Sequence, residues 1–310
     1  MPDNVLAFLV ALGVALLLTP AVIAFARCTG ALDKPDARKV HVRPIPRIGG
    51  IGIYAAFMVS ILVQLTFIDL TPEYMTSLIG LMVGGTIIVA IGIIDDYCDL
   101  PAKVKLLGQI IAAAVVVIGF DVRIDVITDP LGDYIYLEFL AIPATIFWIV
   151  GLTNTVNLID GLDGLAAGVS SIAALTIFLV AMEEGIPPVA MVTIALAGAA
   201  MGFLYYNFNP ARIFMGDTGS LALGGALAGI AILSRTEALL PIVGIIFVCE
   251  ALSVILQVAS FKTRGKRIFR MSPIHHHFEL GGWRETRVVY TFWGIGALGA
   301  LLAWVLVLVS

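Results

Sequence analysis

Long apolar runs constrain the fold of this chain more than any other feature. Ten of them, bounded by charged residues or Pro/Gly clusters, fall at 4–26, 48–68, 76–94, 104–120, 138–153, 164–182, 187–206, 218–234, 239–260 and 288–309. A helix needs roughly 20 such residues to cross the hydrocarbon of a bilayer. Of the 310 residues 60% are apolar and 13% charged, against roughly 45–50% and about 25% in an average soluble domain. The expected fold is therefore an all-α polytopic membrane protein, ten transmembrane helices making one integral membrane domain over 1–310, and a soluble two-domain enzyme is excluded. A nucleic-acid partner is excluded as well, because a net charge of −4 leaves no basic surplus to displace counterions from a phosphate backbone. Cys28, Cys98 and Cys249 are isolated and supply neither a disulfide framework nor a C-x-x-C site. The first run lacks a basic segment before it and is followed by further spans, so it reads as a retained helix rather than a cleaved leader.

Charge then sorts by side. With successive loops alternating across the bilayer, one side carries loops 27–47, 95–103, 154–163, 207–217 and 261–287 together with Lys105. Sixteen of the eighteen Lys and Arg residues lie there, and only Arg123 and Arg235 lie opposite. Basic loops stay cytoplasmic, which places both termini outside. The segment 122–137 alternates apolar and polar residues around Pro-Leu-Gly, predicting a small external β-hairpin. Thirty-one glycines suit close helix packing in lipid.

Four segments concentrate the chemistry. In IGIIDDYCDLPAKVKLLGQ (91–109), Asp95 and Asp96 end an apolar helix and Lys103 and Lys105 follow within ten residues. Paired carboxylates at an interface cost free energy unless a cation, a proton or a partner compensates. A plain helix-end charge pair is the competing explanation. In GLTNTVNLIDGLDGLAAG (151–168), Asn154, Asn157, Asp160 and Asp163 recur every third residue. At about 100° per residue a straight helix would turn Asp163 away from Asn154, so the four share a ligand only if the chain breaks, and Gly161 and Gly164 supply the break. Interhelical hydrogen bonding is the alternative role.

In YYNFNPARIFMGDTGSLALGG (205–225), Asp217 stands at a helix start where glycine permits close approach and free amides favour phosphate, or where it simply caps the helix. In FKTRGKRIFRMSPIHHHFELGGWRETR (261–287), His275, His276 and His277 are too closely spaced to share one zinc ion. Beside Lys262, Arg264, Lys266, Arg267 and Arg270 they suit an anionic substrate, with a bare basic membrane patch as the rival reading. Asp95, Asp96, Asp160, Asp163 and Asp217 all fall on one side and would repel one another without a cation. Mg²⁺ accepts one or two carboxylates plus phosphate oxygens and water. The residues alone thus point to a Mg²⁺-dependent membrane enzyme acting on a phosphorylated substrate at the cytoplasmic face.

In order along nearly the whole chain, DDYCDLPAKVKLLGQ, NTVNLIDGLDGLAAG, IFMGDTGS and PIHHHFELGGW resemble the polyprenyl-phosphate N-acetylhexosaminyl-1-phosphate transferases of bacterial membranes. That resemblance implies a ten-helix fold and a divalent metal, Mg²⁺ with Mn²⁺ as a substitute. It also implies transfer of a sugar 1-phosphate from a UDP-sugar to undecaprenyl phosphate with release of UMP, in the bilayer, and leaves a homodimer open. By resemblance, Asp217 is the metal ligand, Asp95 deprotonates or positions the lipid phosphate and Asp96 supports the lipid phosphate or the metal. Lys105 holds the diphosphate, and Asn154, Asn157, Asp160 and Asp163 hold the uridine and sugar side. Phe214 stacks on uracil, and His275, His276 and His277 contact the sugar-phosphate region.

Two branches of that family divide the chain. ALDKPDARKVHVRPIPRIGGIGIY (31–54) and NLIDGLDGLAAG look like the branch that transfers GlcNAc-1-phosphate, whereas GDTGSLALGGALAGIAILSRTEALLPI and HHHFELGGWRETRVV look like the branch that makes lipid I from MurNAc-pentapeptide. The larger matching portion lies before residue 215, so GlcNAc-1-phosphate is the expected group and phospho-MurNAc-pentapeptide the alternative. Direct attack and an aspartyl-phosphate intermediate both stand. Glu250 is alone within an apolar run and is expected to be a hydrogen-bonded structural acid, separated by depth from the cytoplasmic motifs. A secondary transporter is the rival class, disfavoured because nearly every candidate acid sits at one membrane edge rather than at the midplane.

Overall fold

The computed structural model describes residues 2–33, 44–128 and 134–309. Helix α1 (Pro2–Thr29) leads into a two-residue pairing of β1 (Leu32–Asp33) with β2 (Ile45–Pro46), then α2 (Gly50–Gln64), α3 (Pro72–Cys98) and α4 (Ala102–Ala114). A π-helical turn, Val115–Gly119, extends α4. A hairpin of β3 (Val126–Thr128) and β4 (Tyr134–Tyr136) precedes α5 (Ala141–Ile159), α6 (Leu165–Glu183), α7 (Pro187–Asn207) and α8 (Gly216–Ser234). The one-turn α9 (Leu240–Val243), α10 (Ile245–Arg264), the short α11 (Ile274–Glu279) and α12 (Glu285–Val309) complete the chain.

Among the described residues nine helices are long and apolar enough to cross a membrane, and α2 is an apolar helix of only 15 residues. The architecture is thus all-helical and polytopic, with one of the ten expected spans cut short. The run 48–68 stops being helical at Gln64 because the next residues close tight turns, Thr66 giving its hydroxyl to the Val63 carbonyl at 2.7 Å. The run 239–260 is likewise broken at Gly244 and shifted, so that α10 continues to Arg264 and ends on Gly265 in the left-handed region, φ 65°. Paired Val126↔Tyr136, Ile127↔Ile135 and Thr128↔Tyr134 form the expected hairpin, although its Pro-Leu-Gly turn lies outside the described residues. The β1–β2 pairing is an addition that the apolar pattern did not indicate.

Helices α6, α7 and α8 form the interior, with most of their residues buried, while large apolar side chains such as Leu17 on α1, Phe147 on α5 and Leu298 on α12 face outward. Between helices in lipid there is little hydrophobic gain to be had, so small residues that let backbones approach decide which helices meet. Two such contacts position the site. A Cβ on Gly92 of α3 would lie 2.5 Å from the Thr218 Cα of α8, and one on Gly224 of α8 would lie 2.6 Å from the Thr153 Cα of α5. The C-terminal ends of α3 and α5 are thereby held against the N-terminal half of α8. The β3–β4 hairpin joins the opposite ends of α4 and α5.

Candidate active site

The predicted site residues meet where α3, α5 and α7 end and α4, α6 and α8 begin. Asp95 and Asp96, each 5% exposed, are neighbours in sequence but serve different partners. Asp95 Oδ2 accepts from Lys105 Nζ at 2.9 Å, and its Oδ1 accepts the Leu100 amide at 2.8 Å. Lys105, in the first turn of α4, also donates to Asp217 Oδ2. From α5, Asn157 donates to Asp217 Oδ1 at 3.0 Å and to Ser220 Oγ at 2.8 Å. Asp95, Lys105, Asp217 and Asn157 therefore form one continuous polar chain drawn from four helices.

Asp96 turns to the start of α8. Its Oδ1 accepts the Asp217 amide at 3.0 Å, and its Oδ2 accepts the Thr218 amide at 3.0 Å and the Thr218 hydroxyl at 2.6 Å. The first amides of a helix have no partner within it, and here a carboxylate from another helix caps them. Arg47 reinforces the arrangement with Nε on Asp96 Oδ1 and a second nitrogen on Asp99, both at 3.3 Å. Gly216 is required at this junction because its φ is +66° and a Cβ would lie 2.5 Å from Asp96 Oδ2. Residues 46–50 close over the same helix start, with Phe214 N donating to Pro46 O at 2.8 Å and Gly49 N to Phe214 O at 3.0 Å. Phe214 is half-buried in this junction.

Helix α5 continues to Ile159, so Asn154 and Asn157 are helical rather than part of the loop expected at 154–163. Asn154 donates to Gln109 Oε1 at 2.5 Å and to Val150 O at 2.8 Å. The expected break follows, since the helix ends at Asp160 and Gly164, φ +78°, opens α6. Asp160 receives no side-chain hydrogen bond among the described residues, and its carboxyl is pushed well above the usual carboxylate range, first by burial and then by repulsion from Asp217, Asp96 and Asp163. Asp163 ties loops together: its Oδ2 accepts from Ala211 N at 2.8 Å and Asn209 Nδ2 at 3.1 Å, and its amide donates to Glu285 Oε1 at 2.7 Å.

The three histidines diverge. His275 is fully buried with Nδ1 3.0 Å from Glu250 Oε1, His276 Nδ1 lies 2.8 Å from Glu279 Oε2, and His277 Nδ1 accepts the Arg270 amide at 3.1 Å. Glu250 is hydrogen-bonded as expected, but the expected separation from the other motifs is corrected, because the loop that bears the histidines folds back onto α10 and reaches it. Arg47, Gln109, Ser220 and Glu285 escaped the sequence reading. Gln109 had a signal, standing four residues after Lys105 on an otherwise apolar helix face.

A hard cation would find oxygen donors here. Among the described residues no three His, Cys, Asp or Glu side chains gather closely enough to chelate an ion unaided. Asp95 and Asp217 do converge on a single amine, and Mg²⁺ is ordinarily held by one or two carboxylates with phosphate oxygens and water completing the shell. The donor set fits such an ion bound together with a phosphorylated substrate.

Residues 78–235 match the model of glycosyl transferase family 4. Over 97% of both chains the protein is 44% identical to the phospho-N-acetylmuramoyl-pentapeptide-transferase of Heliobacterium modesticaldum. The chain belongs to glycosyl transferase family 4. Relatives bearing the same name in Bacillus cytotoxicus, 46% identical over 95% of this chain and 96% of the relative, and in Bacillus subtilis, 42% identical over 97% and 98%, agree. The family match contains every aspartate of the site, and the histidine segment beyond it falls within the near-full-length likeness to these relatives. As a member of glycosyl transferase family 4 the protein is a multi-pass membrane enzyme, a polyprenyl-phosphate sugar-1-phosphate transferase.

Proposed function

We propose that the chain transfers phospho-MurNAc-pentapeptide from its UDP-linked donor to undecaprenyl phosphate, making lipid I and releasing UMP. The observation that carries this reading is the 42–46% identity, over nearly the full length, to relatives named for that transfer. It favours the alternative donor over the GlcNAc-1-phosphate expected from residues 31–54. Identity sustained across both halves of the chain outweighs a likeness drawn from two short segments.

The site supports the chemistry. An oxygen of the lipid phosphate attacks the β-phosphorus of the donor, the bond from that phosphorus to the bridging oxygen breaks, and UMP departs with the oxygen. Lys105, held between Asp95 and Asp217, offsets charge that builds on the diphosphate. Asp217, steadied by Asn157, would be the principal ligand for Mg²⁺ with Asp95 beside it, and the ion would supply polarisation of the phosphoryl oxygens. Asp95 also deprotonates or positions the lipid phosphate. Asp96 acts by holding the start of α8, so that Asp217 stays in place. Asp160 faces the donor, Phe214 offers its ring to the uracil, and Asn154, Asp163, His276 and His277 frame the donor side. Val104, Leu106 and Leu107 on α4 are exposed beside Lys105, a lipid-facing surface along which a prenyl tail lies while its phosphate reaches the amine. The concentration of basic residues at this end supports a cytoplasmic placement, where a nucleotide donor is found.

The test is UMP release by detergent-purified protein with undecaprenyl phosphate and Mg²⁺, comparing UDP-MurNAc-pentapeptide with UDP-GlcNAc. Release with the first donor only, abolished by EDTA and restored by excess Mg²⁺, is expected. Release with UDP-GlcNAc only would overturn the choice of donor.

A further inference from the structure

Helix α10 carries Glu250, Ser253, Gln257 and Ser260 at spacings of three, four and three, a buried polar stripe on an otherwise apolar helix. The chain that follows runs back along it. Ser260 Oγ donates to Lys266 O at 2.9 Å. Gln257 Oε1 accepts the Ile268 and Phe269 amides, its Nε2 donates to Phe269 O, and all three bonds measure 3.0 Å. Glu250 Oε2 then accepts the Ile274 amide at 2.7 Å while Oε1 faces His275 Nδ1 at 3.0 Å. Both Glu250 and His275 are 0% exposed.

The opposite edge of this imidazole is unusual. His275 Nε2 is buried with no hydrogen-bond partner among the described residues, and it lies against the Asp160–Gly161 turn, where a Cβ on Gly161 would be 2.5 Å away. The Ile274 N–H can only donate, so the Glu250 oxygen it meets accepts, and the second Glu250 oxygen is the one group that pairs with Nδ1 among the described residues. Holding one edge of an imidazole in this way settles its tautomer and its orientation. The ring is thereby a spacer of defined shape and polarity between α10 and the turn that carries Asp160.

We propose that Glu250 is a positioning residue for the transfer reaction, acting through His275 to hold the Asp160–Gly161 turn where the donor binds. The inference rests on the proposed function for its assay and extends it to a residue that touches no substrate. Glu250→Gln is the sharp probe. The amide keeps the shape but has one accepting oxygen, which the Ile274 N–H claims, so its NH₂ faces Nδ1 and drives the imidazole proton to Nε2. A merely space-filling Glu250 would leave that variant unaltered.

The experiment measures UMP release by purified wild type, Glu250→Gln, Gly161→Ala, His275→Ala and the two doubles that combine His275→Ala with each of the others, together with their melting in detergent. Expected for Glu250→Gln is a 10- to 100-fold loss of kcat/KM for the UDP-sugar, carried mainly by a higher KM, with melting within a few degrees of wild type. In the His275→Ala background both Glu250→Gln and Gly161→Ala should add less than about twofold, because groups acting through one another are not additive. Glu250→Gln within twofold of wild type, or losses that multiply in the doubles, would overturn the inference. Should Glu250→Gln fail to fold, Glu250→Asp, which keeps the carboxyl but shortens its reach to Nδ1, takes its place alone and with His275→Ala, under the same criteria. A wild type that releases no UMP with either donor would instead sink the proposed function, and this inference with it.

Discussion

The two ends of α8 each carry an acid, and the fold treats them in opposite ways. Asp217 at the start is met by the Lys105 amine and the Asn157 amide, with Asp95 sharing the lysine. Glu237, just beyond the other end and 7% exposed, has among the described residues its own backbone and the field of Arg235 to offset burial, which pushes its carboxyl up to about 7. A buried acid surrounded by donors can be used as an anion, whereas one without them is more easily kept as the neutral acid. The difference separates the proposed reaction centre from a structural corner, although both acids flank the same helix.

Removing the used acid should have the largest effect. Asp217→Ala is expected to lower UMP release by roughly 10³-fold or more while the protein remains extractable and melts normally; substantial turnover would place the metal ligand elsewhere. Asp95→Asn keeps the shape but loses the anion beside Lys105, and a loss on the order of 10²-fold in kcat is expected, with stability little altered. At the other end of α8 the effect should appear in stability instead. Because the folded Glu237 carboxyl titrates near 7 and its unfolded reference near 4.5, its contribution is fully present below pH 4.5 and is lost as pH rises to 7, on the order of 2–3 kcal/mol. Melting of the wild type should fall across that window relative to Glu237→Gln, which lacks this slope; parallel curves would refute the contrast. The smallest effect is assigned to Asp96→Asn, about 1–2 kcal/mol of stability through a weakened cap on α8. Its melting temperature should drop where that of Asp95→Asn does not.

The aspartate centre and the histidine segment also differ in how far they could be read in advance. Asp95, Lys105, Asn157 and Asp217 each lie within a turn or two of a helix end, so the expectation that they share one membrane edge followed directly from the apolar runs. The break after Ile159 was equally visible, because Asp160, Gly161 and Gly164 are poor helix formers in sequence. The histidine segment was not readable in this way. Its place depends on a loop folding back along α10, and the polar stripe from Glu250 to Ser260 shows only when the helix is viewed for polar rather than apolar periodicity. Glu250 therefore stood out as a lone acid, when its partner was 25 residues away in His275.

Hydropathy, the distribution of Lys and Arg and four short motifs were enough to specify a polytopic helical membrane protein and its carboxylate-rich edge, because burial in lipid and the spacing of helix ends are local properties of the chain, and the enzyme family followed from the resemblance those motifs carry. Tertiary structure alone decided which oxygen meets which donor. It divided the neighbours Asp95 and Asp96 between Lys105 and the start of α8, enclosed His275 against Glu250, and engaged Asn154 with Gln109. In a medium of low dielectric a polar group left without a partner is costly. Which partner it finds is set by how closely helices approach, and that depends on contacts such as Gly92 with Thr218 and Gly224 with Thr153, between residues far apart in the chain.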